Sequence, residues 1–433
     1  MAGTMSNAKR NSFKVELLVV FAILISLGFP GNYALVYGER FEMIMVYAIF
    51  IAEILAMLLS SGESWLDIQI INLDKKYAVM FIFAGVIFAE SMLVTEYKNL
   101  EFISCTRLVV TLFFVIWLQE KFEFKRMVEL IGIAQVLFLI FTLLFTVQYF
   151  RYAFSGGTPF NEPYIGLYST KNTCASELAF GIIIIGFLIW QKIKKREPYF
   201  RWLLIEIVQI LLILMCQATG AIVCAVCVFI LFFIPKSVRL PLGWLYIAVS
   251  IFFLFATLTL MPAFEWIFEL LDKDSTLTGR IPLWNQMITV MTRHNTFTGF
   301  GYGMFWRDEA AVALVRAAFD ENTFLGNVSS GAHNMLLEIW ANSGLIGIAL
   351  LFAMLLYSMR KIQNFSDEKY FFCALILSYL MLNGLTERCL GGNYDYKMTF
   401  FLLAIAIGCR LSGVPDISVG RVLRKTKNEM RKV

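Results

Sequence analysis

Two of the 433 residues are His, and each is followed by Asn: His294-Asn295 and His333-Asn334. Imidazole takes and returns protons near neutral pH, so each His is a candidate general base, an exposed His with no catalytic part being the plainer reading. His333 is favoured by its place. Ser329-Ser330-Gly331-Ala332-His333-Asn334 runs into the apolar Met335-Leu336-Leu337. Ser330 is expected to cap a helix there, with His333 in its first turn. Asn334 and Glu338 stand four apart on that helix and share a face. Earlier, Thr278-Gly279-Arg280 precedes Ile281, Trp284, Met287, Ile288 and Met291. That 3.6-residue period predicts an amphipathic helix over 281–293, with Pro282 in its first turn. The unpaired N–H groups and positive dipole end of such a helix, beside the Arg280 guanidinium, suit a phosphate or diphosphate; a solvated loop Arg is the alternative. Between these stretches lies Gly299-Phe300-Gly301-Tyr302-Gly303-Met304-Phe305. Alternating glycines permit a sharp turn or close backbone approach to lipid, and the turn is favoured.

Other polar residues are ambiguous. Glu53, Glu90, Arg107 and Glu177 stand in apolar runs and need partners or a cavity. Arg107 either pairs with Glu90 or lines an outward cavity and meets an anionic headgroup. Asp272-Lys273-Asp274 reads as a solvated turn. The eight Cys, including the Cys224/Cys227 C-x-x-C, read as small packing residues without a disulfide framework, and only Cys389 is expected in an aqueous loop. No metal site and no cofactor are expected.

The elements that carry these residues follow from composition. Hydrophobic residues make up 59% of the chain and charged residues 16%, with a mean hydropathy of +0.71. A soluble fold of this length cannot cover itself with so little charge, a disordered chain is not so apolar, and β-barrel strands alternate polar with apolar. An all-α, polytopic helical membrane protein is expected, one integral domain over 1–433. It has twelve spans, near 15–30, 42–60, 77–95, 102–118, 127–148, 174–190, 201–218, 220–235, 241–261, 336–358, 369–386 and 397–412. With both termini cytoplasmic, 25 of the 37 Lys and Arg fall inside and 11 outside, as the positive-inside rule requires. The tail over 413–433 is then basic and cytoplasmic. One long extracytoplasmic loop, 262–332, separates spans nine and ten, and it holds Arg280 and the Gly string. It is too aromatic to be disordered, with a second short helix expected over 309–319.

Together, Ser275-Thr276-Leu277-Thr278-Gly279-Arg280 with Trp284, the Gly299–Phe305 string, Ala332-His333-Asn334-Met335-Leu336-Leu337-Glu338 and Asn342-Ser343-Gly344-Leu345-Ile346-Gly347 resemble the bacterial O-antigen polymerase and ligase superfamily. That group includes capsule and exopolysaccharide polymerases. Gly166-Leu167-Tyr168 to Lys171-Asn172 resembles a Gly…Asn element of the same family. The resemblance implies inverting, metal-independent glycosyl transfer at the outer face of the bacterial cytoplasmic membrane. The donor is a glycan on undecaprenyl diphosphate, and the acceptor is a second glycan. Arg280 would hold the diphosphate and His333 would serve as base. Arg107, Arg293, Asn172, Asn334, Glu338, Trp284 and Tyr302 are the expected substrate contacts, the aromatic residues stacking on sugars or serving instead as interfacial anchors. Many relatives carry Ser-Arg near the outer end of span seven. Ala218-Thr219-Gly220-Ala221 stands here, so that cation is either missing or supplied elsewhere, with Arg107 and Arg293 the candidates. A polymerase is expected, with a ligase as the alternative and a lipid-linked glycan flippase less favoured because no repeated halves are seen. The expected partners are the lipid-linked donor, the acceptor, the bilayer, and a chain-length regulator and flippase of one pathway; no nucleic acid is expected.

Overall fold

The computed structural model describes residues 2–27, 39–60, 75–158, 161–234, 240–260, 279–317, 319, 331–363, 367–390 and 396–410. Among them are fourteen α-helices and no strand. In chain order these are α1 Ala2–Ser26, α2 Glu39–Ser60, α3 Ala78–Val94, α4 Lys98–Lys121, α5 Phe124–Gln148, α6 Lys171–Lys194 and α7 Phe200–Met215. Then follow α8 Thr219–Phe229, α9 Leu242–Leu260, α10 Arg280–Arg293, α11 Glu309–Arg316, α12 Met335–Ile362, α13 Asp367–Asn383 and α14 Tyr396–Arg410. Each expected span overlaps a helix among the described residues, and the two helices expected in the long loop overlap α10 and α11. Five helices, α4, α5, α6, α9 and α12, are long and apolar enough to cross a membrane. Shorter apolar helices lie at Tyr47–Ser60, Ala78–Val94 and Thr219–Phe232. The protein is an all-α polytopic membrane protein. Asp272-Lys273-Asp274, Ser275–Thr278, Ser329-Ser330 and the 413–433 tail lie outside the described residues.

The arrangement follows from which faces are apolar on both sides. α6, α13 and α14 are buried almost throughout, and their aromatic side chains interlock: Phe180 packs on Tyr379, Tyr396 and Phe400. Outer helices keep large apolar side chains exposed, such as Leu204, Ile207, Leu211 and Leu214 of α7 and Phe252 and Phe255 of α9. Such a surface is stable only against hydrocarbon, since lipid tails are as apolar as Leu. Leu283, Trp284, Met287, Val290 and Met291 of α10 form a second core with Phe305, Val315 of α11, and Leu337 and Ala341 of α12. α10 and α11 therefore make a small lobe seated on the first half of α12.

Candidate active site

The lobe is held where α12 breaks. Ser343 and Gly344 leave helical geometry, Gly344 at φ 58° and ψ −168°, a conformation open essentially to glycine alone. The break frees backbone groups of α12, and the 296–301 segment takes them up. Phe300 N–H donates to Ala341 O at 2.9 Å and Gly301 N–H to Asn342 O at 3.0 Å. Leu345 N–H donates to Thr296 O at 3.1 Å and Ile346 N–H to Phe297 O at 3.2 Å. A Cβ at Gly299 would lie 2.6 Å from Ser343 N, and one at Gly344 would collide with the Phe297 carbonyl. The Gly string and the Asn342-Ser343-Gly344 motif are thus two halves of one backbone joint. At the far side, Tyr302 N–H donates to Ser91 Oγ at 2.9 Å and to buried Glu101 Oε1 at 2.8 Å, fixing the string to α3 and α4.

This joint sets the position of His333. Asn334, rather than Ser330, caps α12, its side chain accepting from Leu336 and Leu337 N–H. The expected placement of His333 in the first turn is therefore corrected: it lies one residue before the cap, at φ +49°. A left-handed non-Gly residue costs about 1–2 kcal/mol and persists where surrounding structure over-determines it. Asn334 Nδ2 also donates to Leu385 O at 3.0 Å, and Met335 N–H to Gly384 O at 2.7 Å. These bonds bring the 384–390 segment, after α13, against the start of α12.

That segment carries the residue around which the expected site closes. Glu387 Oε1 accepts from Arg280 Nη2 at 2.7 Å and from Asn172 Nδ2 at 3.3 Å, while its Oε2 lies 3.4 Å from His333 Nδ1. Arg280, Asn172 and His333, drawn from the start of α10, the start of α6 and the approach to α12, thus meet on one carboxylate. Side chains of Arg280, Glu387 and His333 remain 18%, 19% and 29% exposed, so a ligand can reach them. Burial works to raise the Glu387 pKa. The hydrogen bond from His333 and the charges of Arg280, His333 and Lys397 outweigh it and hold the carboxyl below its ordinary value. An ionised Glu387 favours the imidazole tautomer with hydrogen on Nδ1, which leaves the Nε2 lone pair as the basic site.

Other expected contacts lie apart from this cluster. Trp284 is completely buried and its Nε1–H donates to Ala332 O at 2.8 Å, so its ring is lobe core with no face for a sugar. Tyr302 is likewise buried. The expectation that these two rings stack on substrate gives way to packing. Glu338 is also wholly buried and takes Trp306 Nε1–H at 3.1 Å, Ala332 N–H at 2.7 Å and Arg388 Nε at 3.4 Å. It fixes the backbone just before His333. Arg293 is exposed at the last turn of α10, about 20 Å along the helix from Arg280. Arg107 is buried in α4 and faces Glu53 of α2, which accepts from Thr111 one turn on. Glu53 is thus an electrostatic partner of Arg107, which was expected either to pair with Glu90 or to line an outward cavity. Cys389 is buried, its Sγ–H donating to Leu380 O at 3.4 Å, which corrects its expected aqueous position. Glu387, Arg388 and Lys397 were missed by sequence reasoning. The available signal was the Glu387-Arg388 charge pair between two apolar runs.

Residues 207–352 match the O-antigen ligase family model, Wzy_C. The match supports the O-antigen polymerase and ligase superfamily and indicates a ligase- or polymerase-type function. It begins in α7, contains Arg280, the Gly string, His333 and the break in α12, and stops before Glu387. Comparison with curated proteins and with solved structures gave no match.

Proposed function

We propose that the protein polymerises glycan repeat units carried on a polyprenyl diphosphate, at the outer face of a bacterial cytoplasmic membrane. The observation that supports this reading best is the convergence of Arg280, His333 and Asn172 on Glu387 at one end of the helix bundle. In the proposed step, the donor sugar's bond from C1 to the diphosphate oxygen breaks as an acceptor hydroxyl oxygen bonds to C1 from the opposite side. The hydroxyl proton passes to His333 Nε2. The carrier diphosphate leaves with the electron pair, so configuration inverts. Arg280 spends one nitrogen on Glu387, and its remaining N–H donors face the departing charge with the N–H groups at the start of α10. Each such donor is worth about 10²–10³ in rate, and a placed base about 10²–10⁴. A diphosphate needs no general acid to depart. The carrier's chain explains a site at helix ends, where its apolar tail stays in lipid. The basic loops on the opposite side support the outward orientation.

A ligase passing finished glycan to a surface lipid is the second reading, favoured by the description of the matching family model. Purified protein incubated with lipid-linked repeat units tests both. Longer chains on the carrier support the polymerase, and transfer only to an added lipid acceptor supports the ligase. Transbilayer movement without lengthening overturns both. Arg280→Ala and His333→Ala are expected to abolish chain growth while the protein stays inserted and abundant; near-normal polymer from either defeats its role.

A further inference from the structure

A second guanidinium stands beside the Arg280–Glu387 pair, outside the proposed step. Arg388 follows Glu387 in the segment after α13 and is held at three points. Its Nε lies 3.4 Å from Glu338 Oε1. Its carbonyl oxygen accepts from Lys397 Nζ of α14 at 3.1 Å. Its stem runs along Gly331, where an added Cβ would come within 3.2 Å of Arg388 Cδ. The Glu338 side chain is wholly buried and that of Arg388 is 38% exposed, so the ion pair is anchored inside and its cation reaches the surface. His333 lies between the two ion pairs. Glu387 Oε2 is 3.4 Å from its ring, and Glu338 Oε2 takes the N–H of Ala332, the residue before it, at 2.7 Å.

The leaving group of the proposed step carries negative charge on two phosphoryl groups. The charge of Arg280 is already balanced within its pair by Glu387, and this one guanidinium, with the N–H groups at the start of α10, serves one phosphoryl group. We propose that Arg388 binds the second phosphoryl group, so that the site selects a lipid diphosphate over a lipid monophosphate. This role rests on the proposed polyprenyl-diphosphate donor. A guanidinium has five N–H donors in a planar fork, so it can serve a buried carboxylate and a phosphoryl oxygen together. Glu338, Gly331 and Lys397 fix the residue before the lipid arrives, which lowers the ordering cost of binding. Each phosphoryl group then meets one carboxylate-anchored guanidinium. A monophosphate engages only one of the two.

The test titrates the full-length protein in detergent with undecaprenyl diphosphate and, separately, with undecaprenyl monophosphate, and reads the bound lipid by native mass spectrometry. Wild type is expected to bind the diphosphate at least about tenfold more tightly, the worth of one charge-assisted contact. In Arg388→Ala the affinity for the diphosphate is expected to fall at least about tenfold while that for the monophosphate changes little, so the preference collapses. Arg388→Lys keeps the charge without the fork and is expected to fall between the two. A wild-type preference in folded Arg388→Ala overturns the proposal. An equal loss for both lipids also overturns it, since that is what a purely structural anchor on Glu338 would give. If the alanine variant fails to fold, Arg388→Lys and Arg388→Gln are read by the same ratio, and a wild-type ratio in Arg388→Gln overturns the proposal. A preference that Arg280→Ala abolishes and Arg388→Ala keeps removes Arg388 alone and leaves the diphosphate donor standing. Wild type that binds neither lipid, or both equally, overturns that donor together with the role of Arg388.

Discussion

Glu387→Gln isolates the carboxylate that joins the site. The amide keeps the volume and can still accept from Arg280 and Asn172, so the fold is expected to survive. The ion pair with Arg280 loses its charge. Charge-assisted hydrogen bonds contribute about 1.5–3 kcal/mol, and partial exposure of both side chains lowers the expected loss to about 1–2 kcal/mol. The larger effect falls on His333. An amide N–H facing Nδ1 favours the tautomer with hydrogen on Nε2, which removes the base from the acceptor hydroxyl. Loss of general-base catalysis costs about 10²–10⁴ in rate, or about 3–5 kcal/mol in activation free energy. The assay is single-turnover lengthening of lipid-linked repeat units by purified variant and wild type, at saturating donor and across pH. The expected variant has a lowered kcat, a much smaller change in KM and an altered pH profile. A purely structural role would lower folded yield and leave the pH profile of the surviving enzyme unchanged. Wild-type rates and an unchanged profile from well-folded Glu387→Gln would refute the positioning role.

His333→Gly relieves the left-handed strain at φ +49° but gives up the contact with Glu387, so thermal stability in detergent is expected to change by no more than about 1 kcal/mol while chain growth disappears. Gly344→Ala is expected to destabilise by about 3 kcal/mol or more, because the new Cβ meets the Phe297 carbonyl in a glycine-only conformation; quantitative blotting of membranes reads the loss. Gly85→Ala, with open space around it, is the neutral control. Glu387 has a pKa below its ordinary value of 4.5, so its contribution to stability is fully present above pH 4.5 and is lost as pH falls through the lower folded-state value. Melting temperatures measured from pH 7 to pH 3 are expected to show an acid limb that Glu387→Gln removes.

The helices were legible because a hydrocarbon slab demands long apolar runs, and the sequence punctuates them with Lys and Arg. α10 was legible from Ile281, Trp284, Met287 and Met291, whose period also says that this face is buried. The period does not say against what, which is why Trp284 reads equally well as a sugar platform and as core. Arg280 and His333 stood out by type and motif. Glu387 did not, because its partners lie 54, 107 and 215 positions away and only the packing of three helix ends brings them together. The break in α12 escaped for the same reason. Asn342-Ser343-Gly344 and the Gly299–Phe305 string each permit an unusual backbone, but their mutual hydrogen bonding is a tertiary fact. Cys389, placed in water by the apparent end of a span, is buried because the segment after α13 folds back onto it.

The central claim is that the departing diphosphate is gripped by Arg280 while His333 faces the acceptor. A cryo-electron microscopy map of the protein with undecaprenyl diphosphate bound tests it most directly. Phosphate oxygens are expected within hydrogen-bond distance of the Arg280 guanidinium, with His333 Nε2 opening onto the space beside them. A headgroup bound at the opposite end of the bundle, or one whose oxygens meet neither side chain, would contradict it.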